Sequence, residues 1–306
     1  MNDQGKSDIV LNQTELIAVL VAFIGDKPCV MTIDNGSKLP SGPFELSHKN
    51  LQAGLRDWIR KQTQHPIGFL EQLYTFADRN RIPDHPEVRT ISISYLGLVR
   101  QHQINKKLIQ WHDWYRHFPW EDWRRGKPEI IEILIKHLLH WANTKEGLTL
   151  VQHKRIAFLF GMDHYHWNED LILQRYELLF EAGLVFESGS TLQTGEPMFA
   201  DHRRILATAI ARLRAKIKYK AVVFELMPEQ FTLLQLQRNV EGLIGQTLHK
   251  SNFRRMIEQQ GLIEETGGYE NESRGRPAKL FTYRRSVMDE RALSGSKLPL
   301  FKNNLN

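Results

Sequence analysis

The longest uninterrupted apolar run in the chain, Leu16 to Ile24, spans nine residues. A membrane-spanning helix needs about 20, so this run is too short to cross a bilayer. No basic segment followed by an apolar stretch opens the chain either, which leaves no reason to expect secretion. The run starts a sheet instead. Thr14 to Phe23 is rich in Val, Ile and Leu, and Pro28 to Ile33 follows beyond Gly25-Asp26-Lys27, the pattern of a hairpin or of two neighbouring strands. A chain of 306 residues holds material for about two domains, and 41% apolar with 25% charged residues excludes a disordered or collagen-like polymer. The single cysteine, Cys29, forms no internal disulfide and builds no thiolate zinc site. It reads as a small apolar filler and fits a cytoplasmic location.

Charge is unevenly placed. Residues 1–200 carry 22 Lys and Arg against 24 Asp and Glu, whereas residues 201–306 carry 19 against 11. A basic segment on a near-neutral body suits contact with nucleic acid, because cations placed near phosphates release condensed counterions. A solvated basic helix would give the same count.

From Leu39 to Phe44 the chain is a turn-rich loop, and Leu51, Leu55, Trp58 and Ile59 then recur at helical spacing as far as Gln62. Ile67 to Phe76 and Thr90 to Val99 are β-rich, separated by a Pro-broken loop. Residues of about 111–200 differ: Trp111, Trp114, Trp120 and Trp123 crowd together, and Ile130 to Trp141 and Asp170 to Glu181 read as amphipathic helices. This marks a helical insertion. Large aromatics mostly anchor packing, so the tryptophans are assigned to core or interface rather than to base stacking. Asp201 to Lys220 is a helix with Ile205, Ala209 and Leu213 on one side and seven Lys or Arg around it.

The last module has a sharper signature. Thr232-Leu-Leu-Gln235 has capping-box spacing, Leu233, Leu236, Val240 and Leu243 form a stripe, and Gly245 ends the helix. A second helix runs from about Leu248 to Gln260 and closes at Gly261. Leu262 to Thr266 and Lys279 to Tyr283 then alternate as strands around a Gly- and charge-rich tip, giving helix-turn-helix plus wing. With Phe253, Met256 and Ile257 turned inward, His249, Lys250, Asn252, Arg254 and Arg255 face out. Arg pairs with a guanine edge, Asn with an adenine edge, and Lys with phosphate. The wing adds Arg274, Arg276 and Lys279, and Arg274-Gly-Arg-Pro277 is either a minor-groove hook or a wing turn shaped by Gly and Pro. These residues point to double-stranded DNA, with a protein-interaction module as the alternative.

The loop and first helix resemble a Nudix box anchored at Gly42. In that register His48 takes the first glutamate position, Arg56-Asp57 the Arg-Glu pair, Trp58 the apolar position, and Arg60 and Lys61 the paired glutamates. Mg²⁺ is a hard ion held by carboxylate oxygens, and it supplies the attacking hydroxide of a pyrophosphatase. Two cations would repel it. Between Leu46 and Leu70 the only acidic residue is Asp57, so no register restores a Glu-Glu pair, although Glu45 and Glu71 flank the helix. We expect no catalytic residue, no metal and no hydrolysis. Arg56, Arg60 and Lys61, with Arg79 and Arg81 in the loop beyond, either compensate the phosphates of a bound nucleotide or lie on a solvated face.

Together the segments resemble the Nudix-related transcriptional regulators of NAD metabolism of the NrtR and NadQ type, and look closest to the NadQ branch. Leu39–Gln64, Gly68–Asp78 and Ser94-Tyr-Leu96 are similar to the Nudix part. Asp113–Trp123 and Arg175–Leu184 are similar to the helical insertion of the NadQ branch. Phe231-Thr-Leu, Asn252-Phe-Arg-Arg255 and Gly275-Arg-Pro-Ala278 are similar to the winged helix. The resemblance implies an α+β chain. A Nudix-like α/β/α sandwich with a helical insertion would fill 1–225, a winged helix-turn-helix 226–290, and a tail 291–306. It implies a dimeric repressor on a palindromic operator of NAD synthesis or salvage genes, with no cofactor, and with ADP-ribose, NAD or ATP as effector. The alternative is a divergent ADP-ribose pyrophosphatase carrying an accessory DNA-binding domain.

Overall fold

A computed structural model describes residues 11–64, 70–78, 88–100, 110–144, 147–270 and 277–284. Its organising element is β1 (Leu11–Ile24), which contains the long apolar run. Leu16, Ala18, Leu20 and Ala22 point to one face of the sheet and Ile17, Val19, Val21 and Phe23 to the other, and all are buried. A strand covered on both faces needs no polar alternation. That explains why the run is continuous.

β2 (Lys27–Thr32) returns antiparallel to β1 across Gly25-Asp26, as the hairpin reading expects. The turn-rich loop contributes a short strand, β3 (Ser41–Pro43), against the first half of β1. β4 (Leu70–Phe76) and β5 (Val88–Leu98) form an antiparallel pair, and β5 runs parallel to β1 from Leu11↔Val88 to Val21↔Leu98. Gln110–Asp113, at the start of the tryptophan-rich stretch, is a strand rather than helix. This β6 closes the sheet edge on β2, and the order is β4-β5-β1-β2-β6.

Helix α1 (Leu51–Thr63) covers one face with Leu55 and Ile59, capped by Asn50, whose side chain accepts from Ala53 N at 2.9 Å. The other face is covered by α5 (His202–Ile217), and the inserted helices α2 (Ile130–Asn143), α3 (Thr149–Phe160) and α4 (Ile172–Glu181) extend the same apolar core, with α4 packed on α5. The result is a Nudix-like α/β/α sandwich with a helical insertion. Trp114 and Trp120 are fully buried in this second core, and the Trp123 and Trp167 rings meet at a tilt, centroids 4.5 Å apart. Helices α6 (Leu233–Ile244) and α7 (Lys250–Gln260), with the ribbon β7 (Ile263–Glu270) and β8 (Ala278–Tyr283), complete the described chain. Among the described residues no helix is long and apolar enough to cross a membrane.

The basic helix is not a solvated face. Arg203 and Arg214 on α5 are fully buried, held by Glu187 at 3.2 Å and Glu121 at 2.7 Å. Arg204 pairs with Asp78 at 2.6 Å and with Glu177, Lys216 with Glu71, and Lys218 with Asp170 at 2.6 Å. Much of the C-terminal basic excess is therefore spent on internal ion pairs. The charge count by itself is thus no measure of a nucleic-acid surface.

Candidate functional site

The helix-turn-helix is built by local hydrogen bonds that the sequence encodes. Thr232 Oγ1 accepts from Gln235 N at 3.2 Å and Gln235 Oε1 accepts from Thr232 N at 2.8 Å, the reciprocal capping box. The turn to α7 is held by two side chains of α6. Glu241 accepts from Leu248 N at 2.8 Å and from Gln237 Nε2 at 2.9 Å, and Gln237 also donates to Leu248 O at 3.0 Å. The wing is tied back by Phe231, which exchanges two backbone hydrogen bonds with Phe281 at 2.8 and 3.0 Å, and by Gln235 donating to Glu270 at 3.0 Å.

On α7, Phe253 and Ile257 are buried, whereas His249, Lys250, Asn252, Arg254 and Arg255 are exposed. His249 is the N-cap and makes no side-chain cap, so the first backbone N–H groups point outward at the positive end of the helix dipole. Lys279 is exposed on the wing strand β8, where its ammonium is bound to both carboxylate oxygens of Glu265 at 2.8 and 2.9 Å across the ribbon. Arg274 and Arg276 lie outside the described residues.

The C-terminal end of α6 is docked into the body by buried donors. Tyr115 Oη donates to Gly242 O at 2.7 Å, Arg214 Nε to Leu243 O at 2.9 Å, and Trp123 N to Gly245 O at 2.7 Å. Gly245 is left-handed at φ +75°, and a Cβ there would meet Glu121 O at 2.3 Å, so both the turn and the close approach require glycine. Behind it, Glu121 holds Arg175 at 2.6 Å and Arg214 at 2.7 Å, all three fully buried. This carboxylate thus joins the insertion to α5, and Arg214 carries the connection on to the end of α6.

The cation-bearing helix occupies the opposite face of the sheet. Trp58 lies against Gly42 and donates to Pro43 O at 2.8 Å, while Gln62 clasps Ser41 through its amide at 2.7 and 3.1 Å, fixing loop to helix. Arg56 and Arg60, one turn apart, emerge from the same side. Arg60 pairs with Asp57 at 2.6 Å, and Lys61 lies 4.8 Å from the Trp58 ring centroid. Of the two carboxylates that flank this helix, one leaves its face. Glu71 turns to the α5 side to pair with Lys216, and Glu45 stays by His48 at 3.9 Å. Arg79 and Arg81 lie outside the described residues.

Residues 223–283 match the family model of the NrtR DNA-binding winged helix domain. The C-terminal module is an NrtR-type winged helix. A protein of Acinetobacter baylyi described as "ADPR responsive transcriptional repressor NtrR" is 40% identical over 83 residues. That match takes in 27% of this chain and a third of the relative's length. Among solved structures, Shewanella oneidensis NrtR complexed with a 27mer DNA superposes with a TM-score of 0.54 at 19% identity, over 93% of this chain and 97% of that one. A MutT/nudix family protein from Enterococcus faecalis gives 0.50 at 15% identity, over 89% and 86%. At these identities the likeness is one of fold, and it extends from the NrtR-type winged helix into the Nudix-like body.

Proposed function

We propose that this chain is a DNA-binding transcriptional repressor whose Nudix-like body senses a nucleotide and no longer hydrolyses one. The observation that carries the reading is the exposed set His249, Lys250, Asn252, Arg254 and Arg255 on the second helix of an NrtR-type winged helix. These donors suit base edges and phosphates, and α7 is the element that enters the major groove in this class of module. ADP-ribose is the effector we favour over NAD or ATP, because the Acinetobacter relative is named as ADPR responsive. Arg56, Arg60 and Lys61 would compensate its phosphates, where a hydrolase would place magnesium and carboxylates. Regulated genes of NAD synthesis or salvage, a homodimer on a palindromic operator and a cytoplasmic location complete the reading.

Coupling requires that nucleotide alter the relative stability of DNA-competent and incompetent forms. The buried contacts of Tyr115, Arg214 and Trp123 with the end of α6 supply a rigid connection for such a change. A thermal-shift series with ADP-ribose, NAD and ATP, run beside a turnover assay with Mg²⁺ and Mn²⁺, tests the sensing half. We expect ADP-ribose to raise the unfolding temperature at saturation without product formation. Robust metal-dependent cleavage would replace the sensor with an enzyme.

A further inference from the structure

His112 on β6, His117 after the following turn and Glu196 before α5 converge at the sheet edge. Each offers one ligand atom, and these atoms lie within 4.8 Å of one another. We propose that these three residues form a binding site for a divalent transition metal of the zinc class, with a fourth coordination position left to solvent or a small ligand.

The first argument is a polar atom with nothing to do. His117 is fully buried, and its Nδ1 contacts Glu196 O at 2.9 Å. A carbonyl only accepts, so Nδ1 carries the proton and Nε2 presents a bare lone pair. That Nε2 is buried without a hydrogen-bond partner among the described residues, and so is His112 Nδ1. Leaving such groups unsatisfied is unfavourable, because each gives up its hydrogen bonds to water without a replacement. A metal ion would use the lone pair. A ring whose other N–H is fixed on a backbone carbonyl is also the usual arrangement around a ligating histidine, because it sets the tautomer and the ring orientation.

The second argument is that the backbone assembles the three residues. Glu196 N donates to Arg116 O at 2.8 Å, which lays the 195–196 segment alongside the 114–117 turn. Gly195 is left-handed at φ +89°, and a Cβ there would approach His117 O to 2.7 Å, so only glycine brings Glu196 this close. His112 is pressed against Gly36, where a Cβ would come within 2.3 Å of the ring. Two imidazoles and one carboxylate suit zinc or its cobalt and nickel analogues rather than magnesium. Bonds of about 2.0–2.2 Å put tetrahedral ligand atoms about 3.3 Å apart, so the set must close by about 1.5 Å. Glu196, 43% exposed and now paired with Arg116 at 2.8 Å, is the member with freedom to move. Nearby Arg203 is already balanced by Glu187.

The test uses the full chain stripped of metal with chelator and titrated with Zn²⁺ by calorimetry, and with Co²⁺ by visible absorption. We expect one saturable zinc equivalent per chain and intensified cobalt ligand-field bands, with Mg²⁺ giving neither. Glu196→Gln and His112→Asn should each weaken zinc at least tenfold with the circular dichroism of the wild type. A His164→Ala/His166→Ala control, at an exposed pair, should bind as wild type. The proposal is overturned if zinc uptake is absent, if it survives both ligand variants, or if it disappears in the control.

Discussion

At the scale of single residues, the DNA contact we propose draws on a few exposed side chains rather than on bulk charge, because many cations of α5 sit in internal ion pairs. Arg254 and Arg255 are the exposed guanidiniums of α7. Arg254→Ala or Arg255→Ala should each lower affinity for a specific duplex by about 1–3 kcal/mol, measured by fluorescence anisotropy, with the unfolding temperature unchanged. A parallel loss of folding would show these side chains to be structural. His202 gives a pH prediction. Burial, with Lys38 nearby, pushes its pKa down from 6.5 to about 3, and the neutral ring accepts from Leu39 N at 2.9 Å. The unfolded chain binds the proton more readily than the folded one, so stability contributed by this residue is present above pH 6.5. It should fall by about 1.4 kcal/mol per pH unit between 6.5 and 3. Urea unfolding at pH 7 and pH 5 should show that decline, and His202→Gln should make it shallower, leaving the share of the other buried histidine, His117, whose pKa burial pushes down to about 4. Equal slopes in both proteins would remove His202 as the cause.

At the scale of elements, what was legible in the sequence is what local chemistry decides. The capping box at Thr232 and Gln235, the glycine ends at Gly245 and Gly261, and the one-sided stripe of α6 are all contained within a few residues. Thr232→Ala should cost about 1 kcal/mol, read as a lower urea midpoint with the same slope; an unchanged midpoint would mean tertiary contacts alone hold the helix start. α3 was not legible, and its packing explains why. Ile156, Ala157, Leu159 and Phe160 are buried at one end while Leu150, Val151 and Phe158 are exposed, so no continuous apolar stripe runs along it. β6 is four residues long and is defined only by its pairing with β2. The ion pairs of α5 join residues far apart in the chain, as Arg214 to Glu121 and Lys216 to Glu71, which no local pattern announces. The convergence of His112, His117 and Glu196 was hidden for the same reason.

At the scale of the whole molecule, the apolar β1 separates two cores, one on each face of the sheet. One carries Arg56, Arg60 and Lys61 on α1; the other carries the insertion, α5 and the buried Glu121 cluster that grips the end of α6. In the proposed reading, a nucleotide on the first face and DNA on α7 are joined through packed structure. The direct measurement is DNA affinity, by anisotropy over a salt series, for a duplex that the protein itself enriches from a random library, with and without ADP-ribose. We expect the enriched duplex to bind at least a thousandfold more tightly than a scrambled one, log affinity to fall linearly with log salt, and ADP-ribose to change it at least tenfold, about 1.4 kcal/mol. Equal, feeble binding to both duplexes, or an affinity that saturating ADP-ribose leaves untouched, would contradict a nucleotide-sensing repressor.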